Sequence, residues 1–157
     1  MRATGIVVEY NPFHNGHLYH VAQAKKIAQA DVCVAVMSGS FLQRGEPAVV
    51  DKWTRTKMAL HAGVDIVIEL PYAYSTAQAR QFASGSISLL HAIGCESVVF
   101  GSENGDIAPF LHTHYLISTY REEYEAKIHE AMQQGVSYPK ALQHAYQHVL
   151  AYATEAT

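Results

Sequence analysis

Apolar positions along the chain gather into four short unbroken runs, Gly5-Ile6-Val7-Val8, Val32-Cys33-Val34-Ala35-Val36-Met37, Ile66-Val67-Ile68 and Val98-Val99-Phe100. None alternates with polar residues. Continuous β-branched runs of this length fit strands covered on both faces, as in a parallel sheet. The segments between them carry helical spacing. Residues 17–29 put Leu18, Val21, Ala22 and Ala28 on one stripe, with Lys25 and Lys26 outside it. Residues 51–62 open on Asp51, a good N-cap, and stop at Gly63; residues 76–93 are rich in small side chains and stop at Gly94. Strand and helix alternate through this part, which predicts an α/β fold, an open parallel sheet with right-handed crossovers. Beyond residue 105 no strand is evident. Tyr138, Leu142, Ala145 and Val149 recur at helical intervals, so the C-terminal segment reads as helical, with Ala153 to Thr157 as a fraying tail. The expected organisation is an α/β core over residues 1–106 and a helical extension of the same domain over residues 107–157.

Length and composition narrow this reading. The 157 residues suit one domain. Charged residues make up only 16%, against about 25% in an average globular protein, and 10 His and 10 Tyr take part of their place. A net charge of -3 excludes a broadly basic nucleic-acid binder. Cys33 and Cys95 sit in or beside apolar runs and make no disulfide framework, so they read as reduced thiols. No apolar run approaches the length of a signal-peptide core or a membrane span, which makes a cytoplasmic location the expectation and a membrane partner an unexpected one.

Polar and Gly-rich segments follow the strands. Glu9 to His17 follows the first, Ser38 to Pro47 the second, Glu69 to Tyr72 the third and Gly101 to Asp106 the fourth. In a parallel sheet all four emerge at the carboxyl edge, where open α/β folds bind ligands. In the first loop, His14-Asn15-Gly16-His17 joins a strand to a helix. A helix amino terminus favours an anion, Gly removes a side chain where a ligand approaches, and two imidazoles supply N–H donors to phosphate oxygens. The segment is neither a Walker A loop nor a dinucleotide Gly-x-Gly-x-x-Gly motif; a His-capped turn is the structural alternative.

The strand followed by His-x-Gly-His resembles the signature of the adenylyl-transferring nucleotidyltransferase superfamily, a HIGH-type, Rossmann-like fold in which the two His and the Gly cradle ATP. Longer blocks sharpen the likeness. Gly5 to His17, Met37 to Ala48, Asp65 to Pro71 and Phe100 to Glu103 closely resemble, in order, the bacterial tRNA(Met) cytidine acetate ligase family. The resemblance implies an ATP-dependent ligase that activates acetate as acetyl-adenylate, releasing pyrophosphate, and acetylates N4 of the wobble cytidine of elongator tRNA(Met). It implies ATP contacts at Val7, Val8, Glu9, Tyr10, Asn11, Pro12, Phe13, His14, Asn15, Gly16, His17, Leu18, Tyr19 and His20, and at Gly101. A later Asn and Arg that touch ATP in the family find no counterpart in residues 107–157. The expectation is therefore one domain of a larger enzyme, with tRNA binding that needs residues outside this chain. The rival readings are a small-molecule adenylyltransferase and a nucleotide-binding module without full activity.

On the residues themselves, His14, His17 and Arg44 are the candidates for the chemistry, because carboxylate attack on a phosphorus calls for positioning and charge stabilisation. Mg²⁺ bridging the phosphate oxygens is the expected ion, although no metal-ligand motif is present. Lys52 and Arg55, three apart on one helix face, are candidates for pyrophosphate or a tRNA phosphate, with a solvated helix face as the alternative. Glu69 reads as a ligand-orienting group or a strand-end cap, and Asn11 as a loop tie. His112, His114, His144 and His148 do not make a metal motif, and Ser84-Gly85-Ser86 reads as close helix packing.

Overall fold

The computed structural model describes residues 1–155; Ala156 and Thr157, the last of the tail expected to fray, lie outside the described residues. The chain divides into two compact units, Met1–Gly101 and Ser102–Thr157.

In the first unit, β1 (Ala3–Val8), β2 (Val32–Ser38), β3 (Ile66–Leu70) and β4 (Ser97–Val98) form one sheet in the order β3-β2-β1-β4. Every pairing is parallel, which bears out the expected open sheet. Between the strands lie α1 (Asn15–Ala28), α2 (Lys52–His61), α3 (Tyr72–Ser75) and α4 (Ala79–Ala92). The pleat explains why the strands carry no polar alternation. Ile6, Val8, Cys33, Ala35 and Met37 face one way and bury against Val21 and Ala24 of α1 and Ala59 of α2. Val7, Val34 and Val36 face the other way, against Phe82, Leu89 and Leu90 of α4. Both faces are dry, so both need apolar side chains.

Three local readings are corrected. The fourth strand was expected to reach Phe100. It ends at Val98, with one further bond from Val99 N to Gly5 O at 2.9 Å, and Phe100 is exposed. The face of α1 that packs is Val21 and Ala24, while Leu18 lies 47% exposed, because the buried stripe is only as wide as its contact with the sheet. The segment over residues 76–93 is preceded by the separate turn α3, and Gly85 of α4 lies so close to Tyr74 of that turn that a Cβ there would sit 2.5 Å from its ring. The small-residue packing expected of Ser84-Gly85-Ser86 is therefore present.

The second unit contains α5 (Ala108–Thr119), α6 (Arg121–Gln133) and α7 (Tyr138–Glu155). Helices α6 and α7 pack together, turning at Gly135 with φ +79. Ala141, Ala145 and Val149 are the buried stripe of α7, whereas Tyr138 is exposed, so the periodicity was right and its phase one position off at the start. Thr113 Oγ1 donates to Tyr146 Oη at 3.3 Å, joining α5 to α7. Among the described residues no helix is long and apolar enough to cross a membrane.

Candidate functional site

Strand β1 pairs with β2 on one side and β4 on the other. The chain leaves β1 through α1 toward β2 and returns through α4 to β4, so the direction of winding reverses at the carboxyl ends of β1 and β4. That reversal opens the crevice in which doubly wound sheets bind ligands. The amino terminus of α1 stands over it, and Gly101 follows β4 there, exposed.

The two histidines build a reciprocal cap. His14 is the N-cap of α1, and its Nδ1 accepts from Gly16 N at 3.1 Å. His17 Nδ1 accepts from His14 N at 3.2 Å. This is the geometry of a capping box with imidazoles in place of hydroxyl and carboxylate. It also fixes the tautomers. A ring nitrogen that accepts from a backbone N–H carries no proton, so each neutral ring holds its proton on Nε2 and presents Nε2–H as a donor. The rings stack, with centroids 3.6 Å apart. Gly16 is required by this stack, because a Cβ at that position would lie 2.9 Å from His14 Cε1 and 3.0 Å from its Nδ1.

An aromatic floor supports His17. The Tyr10 ring lies 4.9 Å from it and the Phe13 ring 5.4 Å, and Tyr10 and Phe13 meet edge to face at 4.7 Å. Burial, then the neighbouring His14 and His20, holds the His17 imidazolium below the usual histidine range. Tyr10 is only 1% exposed, its φ of 52 is left-handed, and its hydroxyl has no hydrogen-bond partner among the described residues. Burial pushes that phenol well up. His20 Nε2 is buried and also without a partner among the described residues.

The remaining expected residues of the first loop divide by location. Val7 and Val8 belong to the two sheet faces, while Asn15, Leu18 and Tyr19 are exposed at the start of α1. Asn11 is a loop tie, its Oδ1 accepting from Val49 N at 2.7 Å, and Pro12 beside it is exposed. Glu9 turns toward the second loop, where its Oε1 accepts from Ser38 Oγ at 3.2 Å and Gln43 N at 2.7 Å.

Arg44 is exposed at the tip of that second loop, a tight excursion closed by the Phe41–Pro47 bridge and turned at Gly45 with φ +80. No described contact joins Arg44 to His14 or His17. Gln43 Nε2 donates to Ala77 O at 3.0 Å, and Ser75 Oγ to Phe41 O at 2.6 Å, so the loop is held from the α3 side as well.

Sequence reasoning placed Arg55 among solvent-facing phosphate binders, and the structure corrects this. Arg55 is 0% exposed. Its guanidinium donates to Val50 O, Glu9 O, Ser38 O and Gly39 O, tying the ends of β1 and β2 to the entry of α2. The available signal was its place in the first turn of α2, from which a long side chain leans back toward the strand ends. Lys52 pairs with Glu69 at 2.6 Å, so neither is a free ligand group. Beside β1 lies an open cleft of about 320 Å³ lined by Val7, Val8, Glu9, Gln43, Ala79 and Phe82. Among the described residues no group of three or more His, Cys, Asp or Glu could hold a metal ion.

Comparison with known proteins follows this geometry. Residues 1–157 match the family described as HIGH Nucleotidyl Transferase. A tRNA(Met) cytidine acetate ligase of Lysinibacillus sphaericus is 67% identical over 147 residues, 94% of this chain and 36% of that relative. A protein of the same name from Bacillus subtilis is 57% identical over 150 residues, 96% of this chain and 36% of its own. The crystal structure of Thermotoga maritima TmcAL bound with alpha-thio ATP superposes with a TM-score of 0.91 at 44% identity, covering 98% of this chain and 37% of that one. The chain thus spans about 36% of the length of the curated relatives it matches.

Proposed function

Because the chain belongs to the HIGH nucleotidyl transferase family, we propose that it supplies the nucleotide cradle of an ATP-dependent tRNA(Met) cytidine acetate ligase. The observation that carries this reading is the stacked His14–His17 pair, with both Nδ1 atoms used as caps and both Nε2–H groups left as donors at the winding reversal of the sheet. The shared name of the relatives and the alpha-thio ATP of the Thermotoga structure support the choice of nucleotide and reaction.

In this reading ATP lies along the segment Val7 to His20, with Gly101 across the crevice. Acetate attacks the α-phosphorus, acetyl-adenylate forms and pyrophosphate leaves. The chain need not provide a nucleophile. Its part is to hold the phosphates in line and to spread the charge that grows on their oxygens, through the α1 amino terminus and the two Nε2–H donors. Arg44, on a loop tied to both neighbouring loops, is the candidate to meet the leaving pyrophosphate. Mg²⁺ would enter with the phosphates, since the residues present offer it no cage. N4 of the tRNA cytidine then attacks the acetyl carbonyl, AMP leaves as the acyl–phosphate bond breaks, and the amine gives up a proton. With a net charge of -3, this chain alone is a poor grip for tRNA, and that grip belongs to the rest of the ligase.

The test is exchange of labelled pyrophosphate into ATP. Exchange that requires acetate supports the ligase. Exchange driven by a different acceptor supports a small-molecule adenylyltransferase, and ATP binding without exchange under any acceptor reduces the chain to a binding module. A companion measurement uses His17→Asn, whose Oδ1 can keep the bond from His14 N while Nε2–H is lost. Nucleotide affinity should fall by about 1–3 kcal/mol, the range for one charge-assisted hydrogen bond.

A further inference from the structure

We propose that the cleft lined by Val7, Val8, Glu9, Gln43, Ala79 and Phe82 is the acceptor-base pocket, and that it takes a pyrimidine ring carrying an exocyclic amine. The chemistry of the walls selects this ligand; identifying the ring as the cytosine to be acetylated rests on the ligase reading above.

Size comes first. A cleft of about 320 Å³ stands at the small end of ligand sites, enough for one ring system. Four of its lining residues, Val7, Val8, Ala79 and Phe82, are apolar, and Phe82 offers an aromatic surface against which a flat ring can pack.

The polar atoms decide the rest. Glu9 Oε1 is occupied by Ser38 Oγ and Gln43 N, and Oε2 has no hydrogen-bond partner among the described residues. Gln43 uses one Nε2–H on Ala77 O, which leaves its side-chain carbonyl oxygen and its second N–H. The side-chain groups remaining at the cleft are therefore two acceptors, Glu9 Oε2 and the Gln43 carbonyl oxygen, and the second Gln43 N–H. An –NH₂ group brings two N–H donors to match the acceptors, the ring nitrogen beside it accepts from the Gln43 N–H, and a Glu accepting from the N4 amine is an established way of reading cytosine. Uracil presents a carbonyl where cytosine presents the amine, and would set that oxygen against the Glu9 carboxylate. Acetate brings only acceptors and a negative charge beside Glu9. A ring carbonyl finds its donors in the first turn of α4, which reaches the cleft at Ala79 and whose N-cap Gln78 makes no side-chain capping bond. A base can enter such a site only when unstacked from its neighbours.

The placement suits a transfer between two ligands. Val7 and Phe82 belong to the α4 face of the sheet, whereas Tyr10 belongs to the α1 face with the histidines. Nucleotide and base then approach the end of β1 from its two sides.

The experiment titrates the whole chain with cytidine, uridine and sodium acetate in turn, following the Gln43 side-chain amide by proton–nitrogen NMR. Cytidine should shift that signal, with uridine at least about tenfold weaker, the scale of one lost base-edge contact. In Glu9→Gln, which keeps an acceptor for Ser38 and Gln43, the preference should shrink to within about twofold. Equal affinity for the two nucleosides, shifts produced by acetate alone, or cytidine acting away from Gln43 would each overturn the proposal. The comparison in the unsubstituted protein stands even if the variant fails to fold. A cytidine preference in a chain that shows no acetate-dependent exchange would sink the ligase reading and leave the pocket; exchange without a cytidine preference would do the reverse.

Discussion

Replacing Arg55 with Met should destabilise the first unit by about 3–5 kcal/mol, the range for leaving a buried charge network without one partner. The side chain is 0% exposed, and its Nε reaches Val50 O at 2.8 Å, its Nη1 reaches Glu9 O at 2.7 Å and Ser38 O at 3.0 Å, and its Nη2 reaches Gly39 O. Met preserves most of the apolar stem and supplies no donor. Each bond from a charged donor is worth about 1.5–3 kcal/mol. The two to Ser38 O and Gly39 O are fully buried, so those carbonyls cannot turn to water instead. Part of the loss is offset, because the guanidinium no longer has to be stripped of water. Trp53, the one Trp of the chain, lies on α2 two positions from Arg55 and reports on this unit independently of the other. Urea unfolding followed by its fluorescence should move by about 2–5 M, given a slope near 1–1.5 kcal/mol/M for a unit of this size. Arg55→Lys should fall between the two, since one ammonium cannot span four carbonyls. A loss under about 1 kcal/mol at unchanged slope would show that the carbonyls find other partners, and the account of Arg55 as the tie between strand ends would be wrong.

Four further outcomes follow from the site. Gly16→Ala should weaken nucleotide binding and remove about 1 kcal/mol of helix capping, because the new methyl displaces the His14 ring; unchanged affinity in a titration with ATP would refute the stack. Tyr10→Phe should be neutral or stabilising by up to about 1–3 kcal/mol, because it deletes a buried hydroxyl with no partner; a clear loss in thermal unfolding would reveal a hidden partner. Stability should depend on His17 in a defined window. Its folded value lies below the unfolded value of about 6.5, so as pH falls through 6.5 the unfolded chain takes up a proton that the folded chain refuses. Stability declines from there and levels off below the folded value, and His17→Asn should flatten that slope in unfolding curves taken across the range. Gly85→Val should disrupt the α3–α4 contact, since its Cβ would strike the Tyr74 ring, lowering the unfolding midpoint of the first unit while the helicity of the second, read by circular dichroism, persists.

Much of the architecture was legible because it is written locally. Each β-branched run marks one strand, Asp51 caps α2 through bonds to Trp53 N and Thr54 N at 3.0 Å, and Gly63 and Gly94 take left-handed φ after their helices. The spacing of His14, Gly16 and His17 was legible for the same reason, since all their mutual bonds lie within three residues. What stayed hidden depends on distant partners. Arg55 looks like one more cation on a helix until Glu9, Ser38 and Gly39, 46, 17 and 16 residues away, are folded around it. Lys52 and Glu69 neutralise each other only because α2 and β3 are adjacent. The end of β4 was misread because Val98, Val99 and Phe100 are equally apolar. Only the separation of the chain from β1 beyond Gly5 decides where pairing stops.

The low charge of the chain acquires a reason at the turn after β1. Glu9 and Tyr10 are consecutive, just past the end of β1, and they point to opposite sides: Glu9 to Gln43, Phe82 and the cleft beside α4, Tyr10 beneath His17 and against α1. The backbone between them cannot relax toward either side. Tyr10 holds a left-handed φ that costs a non-glycine residue about 1–2 kcal/mol, and the Glu9 carbonyl is gripped from below by Arg55. A permanent charge at this turn would have to be desolvated on whichever face it met. Neutral imidazoles, a backbone N–H array and one carboxylate already bonded to Ser38 and Gln43 avoid most of that cost while still offering donors on the α1 side and acceptors on the α4 side. In the proposed acyl transfer the two ligands need that asymmetry: a phosphate chain wants donors and an amine wants acceptors. A single rigid turn that separates the two sets by one residue fixes their distance more firmly than two independent loops would.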